Sequence, residues 1–337
     1  MAVFVVKRLG LMFLTMVASS FLVFGVMEFS PGNVASKTLG PYASAESKAI
    51  LFKKLKLDDP LIVRYGRWIG VLVGVVKDPL QDPELKLGFA DPRGDRYFGN
   101  FGYSTLYKAP VNDVLWDRLA NTGMLAGIAF AIIVPVSILF GVLSGMREGS
   151  LMDRGLSLTG ITLTSIPEFA SAVFLMAIFV VTLGWLPGTS TLEVSPEWSI
   201  ADQMVLPVAV LVLYDFGYVA RMVRGSMVEV MTRAYIRTAI LKGLPYRTVI
   251  LRHALRNAMI APFTVILLQI NWLITGVVVT EVVFAYPGFG RMLLQAALFG
   301  DITLVEAATI LALSVAVTTQ LIGDIGYMYL NPRIRFT

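Results

Sequence analysis

Long apolar runs alternate with short charged connections along most of this chain. Six runs are long enough, or nearly so, to cross about 30 Å of hydrocarbon, which takes ~20 helical residues. They cover residues 9–27, 119–145, 165–183, 204–218, 259–279 and 304–327. The pattern between the first two is different. Residues 44–57 bring Ile50, Leu51 and Leu55 to helical spacing behind Ser44, a residue suited to an N-cap. Residues 61–76 carry Ile62, Tyr65, Ile69, Leu72 and Val76 on one face, with Trp68 nearby, and Arg64 and Arg67 interrupt the apolar run. That predicts a short interfacial helix rather than a span. From 77 to 98 Asp, Pro, Arg and Gly dominate, which predicts an irregular loop.

Composition agrees with a membrane protein: 56% of the residues are hydrophobic and 15% charged, against about 25% charged in soluble domains. The predicted class is an all-α integral membrane protein with six transmembrane helices and a large external region after the first. Three segments follow: 1–29, an N-terminal end and first span; 30–118, external; and 119–337, the core membrane domain. The first apolar run is longer than the 7 to 15 residues of a cleaved signal h-region, so it reads as a retained span. With no cysteine and one histidine, His253, disulfides, thiolate chemistry and a two-histidine zinc helix are excluded.

Charge then sets orientation. Lys7 and Arg8, Arg147 and Arg154, the stretch 221–262, and Arg333 and Arg335 all fall on one side of the six-span pattern, which marks the cytoplasm. Both termini are then cytoplasmic. The connection holding Glu193, Glu197 and Asp202 has no Lys or Arg and faces out. The net charge of +5 is concentrated on the cytoplasmic face, so orientation explains it better than nucleic-acid binding does.

The stretch 221–262 holds eight Lys/Arg and a single acid, Glu229. Residues 226–242 are good helix formers. Gly243 stands where a left-handed C-terminal cap belongs, and Pro245 suits the first turn of a second helix. A short helix-turn-helix under the bilayer is predicted. Ala239 and Gly243 would leave a strip of its surface nearly bare, which a partner's groove could close around.

This segment resembles the cytoplasmic loop of ABC importer permeases, and within them the dipeptide/oligopeptide/nickel permease family, first-permease type. The resemblance is carried by Tyr235-Ile-Arg-Thr-Ala239, Lys242-Gly-Leu244 and His253-Ala-Leu-Arg-Asn-Ala258 ahead of Pro262. Ser30-Pro-Gly-Asn33, Leu57-Asp-Asp-Pro-Leu61, Gly99-Asn-Phe-Gly-Tyr-Ser104, Pro287-Gly-Phe-Gly290, Asp301, Asp324-Ile-Gly-Tyr327 and Asn331-Pro-Arg-Ile-Arg335 extend it over most of the chain, with 77–98 as an insertion.

The resemblance implies a type I ABC importer permease fold and coupling to an ATP-binding subunit through the segment 221–258, by Tyr235, Arg237, Thr238, Ala239, Lys242, Gly243 and Leu244. It also implies a second homologous permease chain, two ATP-binding subunits and an external substrate-binding protein, in an inner membrane. No phosphate-cradling Gly-x-x-x-x-Gly-Lys-Ser/Thr loop is present, so ATP and magnesium are expected on the partners, with no cofactor or metal in this chain and no catalysis by it.

Polar residues inside spans are costly in lipid and usually face a cavity or another helix. Asp215, Gln269, Asn271 and Glu281 are the candidates for a translocation path, with Glu168 at the start of the third span. The resemblance implies di- and oligopeptides as the favoured cargo, and a carboxylate on the path, suited to a substrate's ammonium group, makes that chemically reasonable. The same machinery could carry an oligosaccharide, an opine or a nickel chelate. From another class, an ion-coupled secondary transporter would require inverted repeats and broken polar helices, and no clear internal repeat is visible. An intramembrane enzyme would require a nucleophile and base that the spans lack.

Overall fold

The computed structural model describes residues 2–29, 39–40, 42–81, 91–275 and 277–330. The motifs at 30–33 and 331–335, with their two arginines, and residues 82–90 of the 77–98 stretch lie outside them.

In chain order the helices are α1 (Ala2–Glu28), α2 (Ala45–Lys54), α3 (Leu61–Leu72), α4 (Val111–Gly145), α5 (Leu151–Ser165), α6 (Glu168–Met176), α7 (Ile200–Met231), α8 (Ala234–Leu241), α9 (Tyr246–Thr248), α10 (Leu255–Ala258), α11 (Ile260–Thr275), α12 (Val278–Val283), α13 (Phe289–Phe299) and α14 (Ile302–Leu330). A two-stranded antiparallel hairpin, β1 (Tyr103–Ser104) and β2 (Ala109–Pro110), precedes α4, with Tyr103 opposite Pro110 and Ser104 opposite Ala109.

Among the described residues five helices are long and apolar enough to cross a membrane. A sixth crossing is made if the pair Leu151–Ser165 and Glu168–Thr182, bent by 94°, is one span. The bend has a local cause. Ile166 precedes Pro167 and adopts an extended conformation (ψ 125°), as steric conflict with the proline ring requires, so the helix must stop and restart. The expected third span, 165–183, therefore corresponds to the second arm, which ends in a π-helical turn at Ala177–Thr182.

The chain forms two compact units. The first comprises residues 1–121 and 288–317. Its apolar centre gathers Val111, Leu115, Phe289, Met292 and Leu304, all almost wholly buried. The helix α3 buries Tyr65, Trp68 and Val71. Ile62 is left exposed, so the buried face is rotated from the one predicted, and Tyr65 packs edge-on against Phe24 of α1 at 5.6 Å. Arg64 donates both terminal nitrogens to Glu28, at 2.5 and 2.6 Å.

The predicted cap of α2 is present: Ser44 Oγ accepts from Ser47 N at 3.1 Å. Asp301 begins α14 and joins it to the hairpin, accepting from Ser104 Oγ at 2.6 Å, Leu106 N at 3.1 Å and Leu304 N at 3.1 Å. Burial pushes the Asp301 carboxyl above its usual range, and pushes Asp78 up to about 6.

The second unit comprises residues 122–287 and 318–337. The helix α7 runs through it, capped by a reciprocal box between Ser199 and Asp202. Glycines set its neighbours' approach. A Cβ at Gly217 would lie 2.3 Å from Gly160 O of α5, one at Gly141 of α4 2.6 Å from Ala220 O, and one at Gly145 2.6 Å from Met227 Cβ. Small residues permit this close backbone packing where lipid supplies no hydrophobic drive. The other glycine pair of α4, Gly123 and Gly127, makes no such approach among the described residues.

Candidate functional site

The basic segment differs from the continuous helix 226–242 that its composition suggests. The helix α7 carries on from the span to Met231, and Thr232 ends it by donating its hydroxyl to Glu229 O at 2.7 Å. Arg233 is extended and begins α8. The C-terminal turn forms as predicted. Gly243 is left-handed (φ +74°), and Gly243 N and Leu244 N donate to Ile240 O and Ala239 O at 2.9 and 3.4 Å. Pro245 then precedes α9, and Thr248 N closes the new turn on Pro245 O at 2.8 Å.

Ile236 and Ala239, three apart on α8, point into the unit's own core with Val223, Met227, Val249, Ile250 and Ala254. Burying a side chain such as Ile236 is worth roughly 1.5–3 kcal/mol, which seats α8 firmly. Ala239 is only 6% exposed, so the bare Ala239–Gly243 strip expected from their spacing is not on the surface. Instead the outer face shows Tyr235, Arg237, Thr238, Lys242, Gly243 and Leu244. Leu241, absent from the sequence-based set, is 80% exposed at the tip. Its signal was an apolar residue out of phase with the buried pair. His253 lies in a π-helical turn (Val249–Ala254), and its carbonyl accepts from Asn257 Nδ2 at 2.9 Å.

The polar candidates in the spans separate into two places. Asp215, 3% exposed, receives Gln269 Nε2 on Oδ1, joining α7 to α11. Its Oδ2 is buried without a hydrogen-bond partner, and the residue lines a cavity of about 210 Å³ together with Thr164, Tyr214, Tyr218, Gln269 and Trp272. The Tyr214 and Trp272 rings stack with centroids 5.3 Å apart. Helical phase explains the grouping: Tyr214 and Tyr218 are four apart around Asp215, and Trp272 follows Gln269 by three. Asn271, two residues from Gln269 and thus on another side of α11, is not among the lining residues.

Glu281 is elsewhere in the unit. It is fully buried and accepts from Thr122 Oγ1 at 2.5 Å. Beside it in sequence, Thr280 donates its N–H (3.1 Å) and its hydroxyl to Glu168 Oε1. The sequence reading also missed Asp153, whose side chain is 3% exposed. It accepts from Arg224 Nε and Nη2 at 2.6 and 2.7 Å, from Gly149 N at 2.8 Å and from Ser144 Oγ. Its hint in the sequence was an acid beside Arg154 in a short connection between apolar runs. Among the described residues no group of three or more His, Cys, Asp or Glu could hold a metal ion.

Residues 137–336 match the family model for the binding-protein-dependent transport system inner membrane component. A protein of Brucella abortus (strain 2308), provisionally named a peptide transport system permease, is 33% identical over 339 residues, covering the whole of both chains. The oligopeptide transport system permease protein AppB of Bacillus subtilis (strain 168) is 30% identical over 340 residues, again the whole of both. The dipeptide transport system permease protein DppB of Alkalihalophilus pseudofirmus is 28% identical over 357 residues. Of solved structures, an inward-facing form of the MetNI methionine ABC transporter is similar with a TM-score of 0.50 and 20% identity, covering 66% of this chain and 96% of that one, a likeness of fold.

Proposed function

The chain belongs to the binding-protein-dependent transport system inner membrane components, and from that premise we propose that it is a translocating subunit of an ATP-driven importer of di- and oligopeptides. The observation that carries the cargo class is similarity along the entire chain to proteins named for peptide and oligopeptide transport. In this reading the chain pairs with a second homologous permease subunit, two ATP-binding subunits hold ATP and magnesium, and an external binding protein delivers cargo. Both termini and the basic segment lie on the cytoplasmic side, where the excess of Lys and Arg belongs.

Coupling runs through α8. Tyr235, Arg237, Thr238, Lys242, Gly243 and Leu244 form the outward face with Leu241, and Ile236 and Ala239 anchor that face to the core. A partner that closes on binding ATP moves the anchored helix, and through Met227 and Val223 it pulls on α7. To drive transport the partner must favour one conformation over the other, because equal binding to both would shift nothing. Asp215, Gln269, Asn271 and Glu281 are assigned to the translocation path, with Asp215 and Gln269 the pair that share a cavity.

Reconstitution of this chain with its permease partner, ATP-binding subunits and binding protein in proteoliposomes tests the reading. ATP-dependent uptake of a labelled peptide that requires every component is expected. Uptake by this chain alone, driven by an ion gradient, would contradict it.

A further inference from the structure

Of the buried carboxylates among the described residues of the second unit, Asp215 is the one whose surroundings are incomplete. It lies within a membrane-crossing helix and is almost wholly buried. One oxygen is occupied by Gln269, the other is buried with no donor, and the residue lines the cavity. Among the described residues no Lys or Arg pairs with it. Arg221 instead stacks its guanidinium over the Tyr218 ring, 6.0 Å from the centroid. An intramembrane carboxylate without a cationic partner is expensive, and its surroundings identify what would complete it.

The rest of the cavity wall is aromatic: the Tyr214–Trp272 stack and Tyr218. A carboxylate oxygen set among electron-rich rings suits an organic ammonium group, which the oxygen meets as a charged acceptor and the ring faces meet by cation–π attraction. A hard metal cation is poorly matched, because it requires several oxygen ligands, anionic ones above all, and Asp215 is the single carboxylate among the lining residues. A cavity of about 210 Å³ holds one ammonium end and the atoms next to it, not a whole peptide.

We propose that the Asp215 cavity is an ammonium-binding station for the cargo: Asp215 Oδ2 accepts from the free α-ammonium group of a peptide, and Tyr214, Tyr218 and Trp272 enclose that group. The peptide identity of the cargo rests on the importer reading above, whereas the ammonium preference rests on the cavity. Gln269 is then a positioning residue, holding Oδ1 and leaving Oδ2 for the ammonium group.

The assembled importer in nanodiscs, titrated with tetra-alanine and with N-acetyl-tetra-alanine while tryptophan fluorescence is followed, tests the proposal, since neither peptide carries an aromatic ring. In the wild type, tetra-alanine should bind tenfold or more tightly than the acetylated form, as expected for loss of a charge-assisted hydrogen bond. D215N should reduce that preference below about twofold, and D215E should keep most of it, with co-elution of all subunits confirming assembly. Equal binding of both peptides by the wild type, or a preference unchanged in D215N, would overturn the proposal.

ATP-driven uptake of the same two peptides, measured in parallel, separates the two ideas. Uptake with no role for Asp215 in the preference removes the station and leaves the importer. An Asp215-dependent amine preference without any peptide uptake removes the peptide-importer reading and leaves the station.

Discussion

Asp153 and Asp215 are both buried carboxylates in the second unit, one packed against α7 and the other on it, yet their surroundings differ in kind. Asp153 is saturated: Arg224 grips it with two nitrogens, and Gly149 N and Ser144 Oγ take remaining acceptor positions. Asp215 has one amide donor and one buried oxygen without a partner. A buried charge with its full set of partners fixes elements in place. One left half-satisfied at a cavity has a free valence for something that comes and goes. The contrast separates the carboxylate that ties α5 to α7 from the one positioned to meet cargo.

The largest expected effect lies on the saturated side. Arg224→Met strands the Asp153 charge and should cost about 3–5 kcal/mol, seen as a lowered unfolding temperature of the detergent-solubilised protein. D215N, which leaves no charge unpaired, should change stability by less than about 1 kcal/mol while removing amine preference. Equal losses in the two variants would break the distinction.

Asp78, in the first unit and outside the spans, extends the comparison to a carboxylate that burial shifts up to about 6. Because its folded value exceeds the unfolded value near 3.8, stability from this group is fully present below about pH 3.8 and is lost as pH rises through about 6. The loss amounts to about 3 kcal/mol at most. D78N should flatten the fall in unfolding temperature across that window. A remaining slope of the same sign is expected from Asp301, which burial shifts in the same direction.

Helix packing gives a smaller test. Gly217→Ala forces a Cβ to 2.3 Å from Gly160 O and should cost about 1–3 kcal/mol, whereas Gly123→Ala, with open space around its Cβ, should cost nothing measurable in the same melt. Gly243 gives an intermediate case. Its Cβ would meet no atom, so Gly243→Ala adds only the left-handed penalty of about 1 kcal/mol.

Hydropathy made α1, α4 and α14 legible in the sequence, because their apolar runs are long and their ends are marked by charge. It cut α7 short at Tyr218, since Arg221 and Arg224 ended the apolar run although the helix continues to Met231. The first arm of the bent pair escaped for a similar reason: Asp153 and Arg154 open it, and their cost is offset by Arg224, distant in sequence. Gly243 and Pro245 were readable because backbone chemistry alone dictates a turn there. The orientation of α8 was not. Whether Ala239 faces a partner or the core depends on Val223, Val249 and Ile250, which sequence spacing does not connect. The Asp215 cavity likewise joins residues 54 positions apart, although the Tyr214, Asp215 and Tyr218 grouping was visible within one turn.

The absence of cysteine allows a direct test of coupling through the outer face of α8. Single cysteines at Lys242, on that face, and at Ile236, buried beneath it, would be offered a short crosslinker in the assembled importer, with and without ATP. Lys242→Cys should crosslink to an ATP-binding subunit with a yield that changes on ATP addition, and Ile236→Cys should not crosslink. Failure of Lys242→Cys to crosslink in an importer that takes up peptide would contradict coupling through this helix.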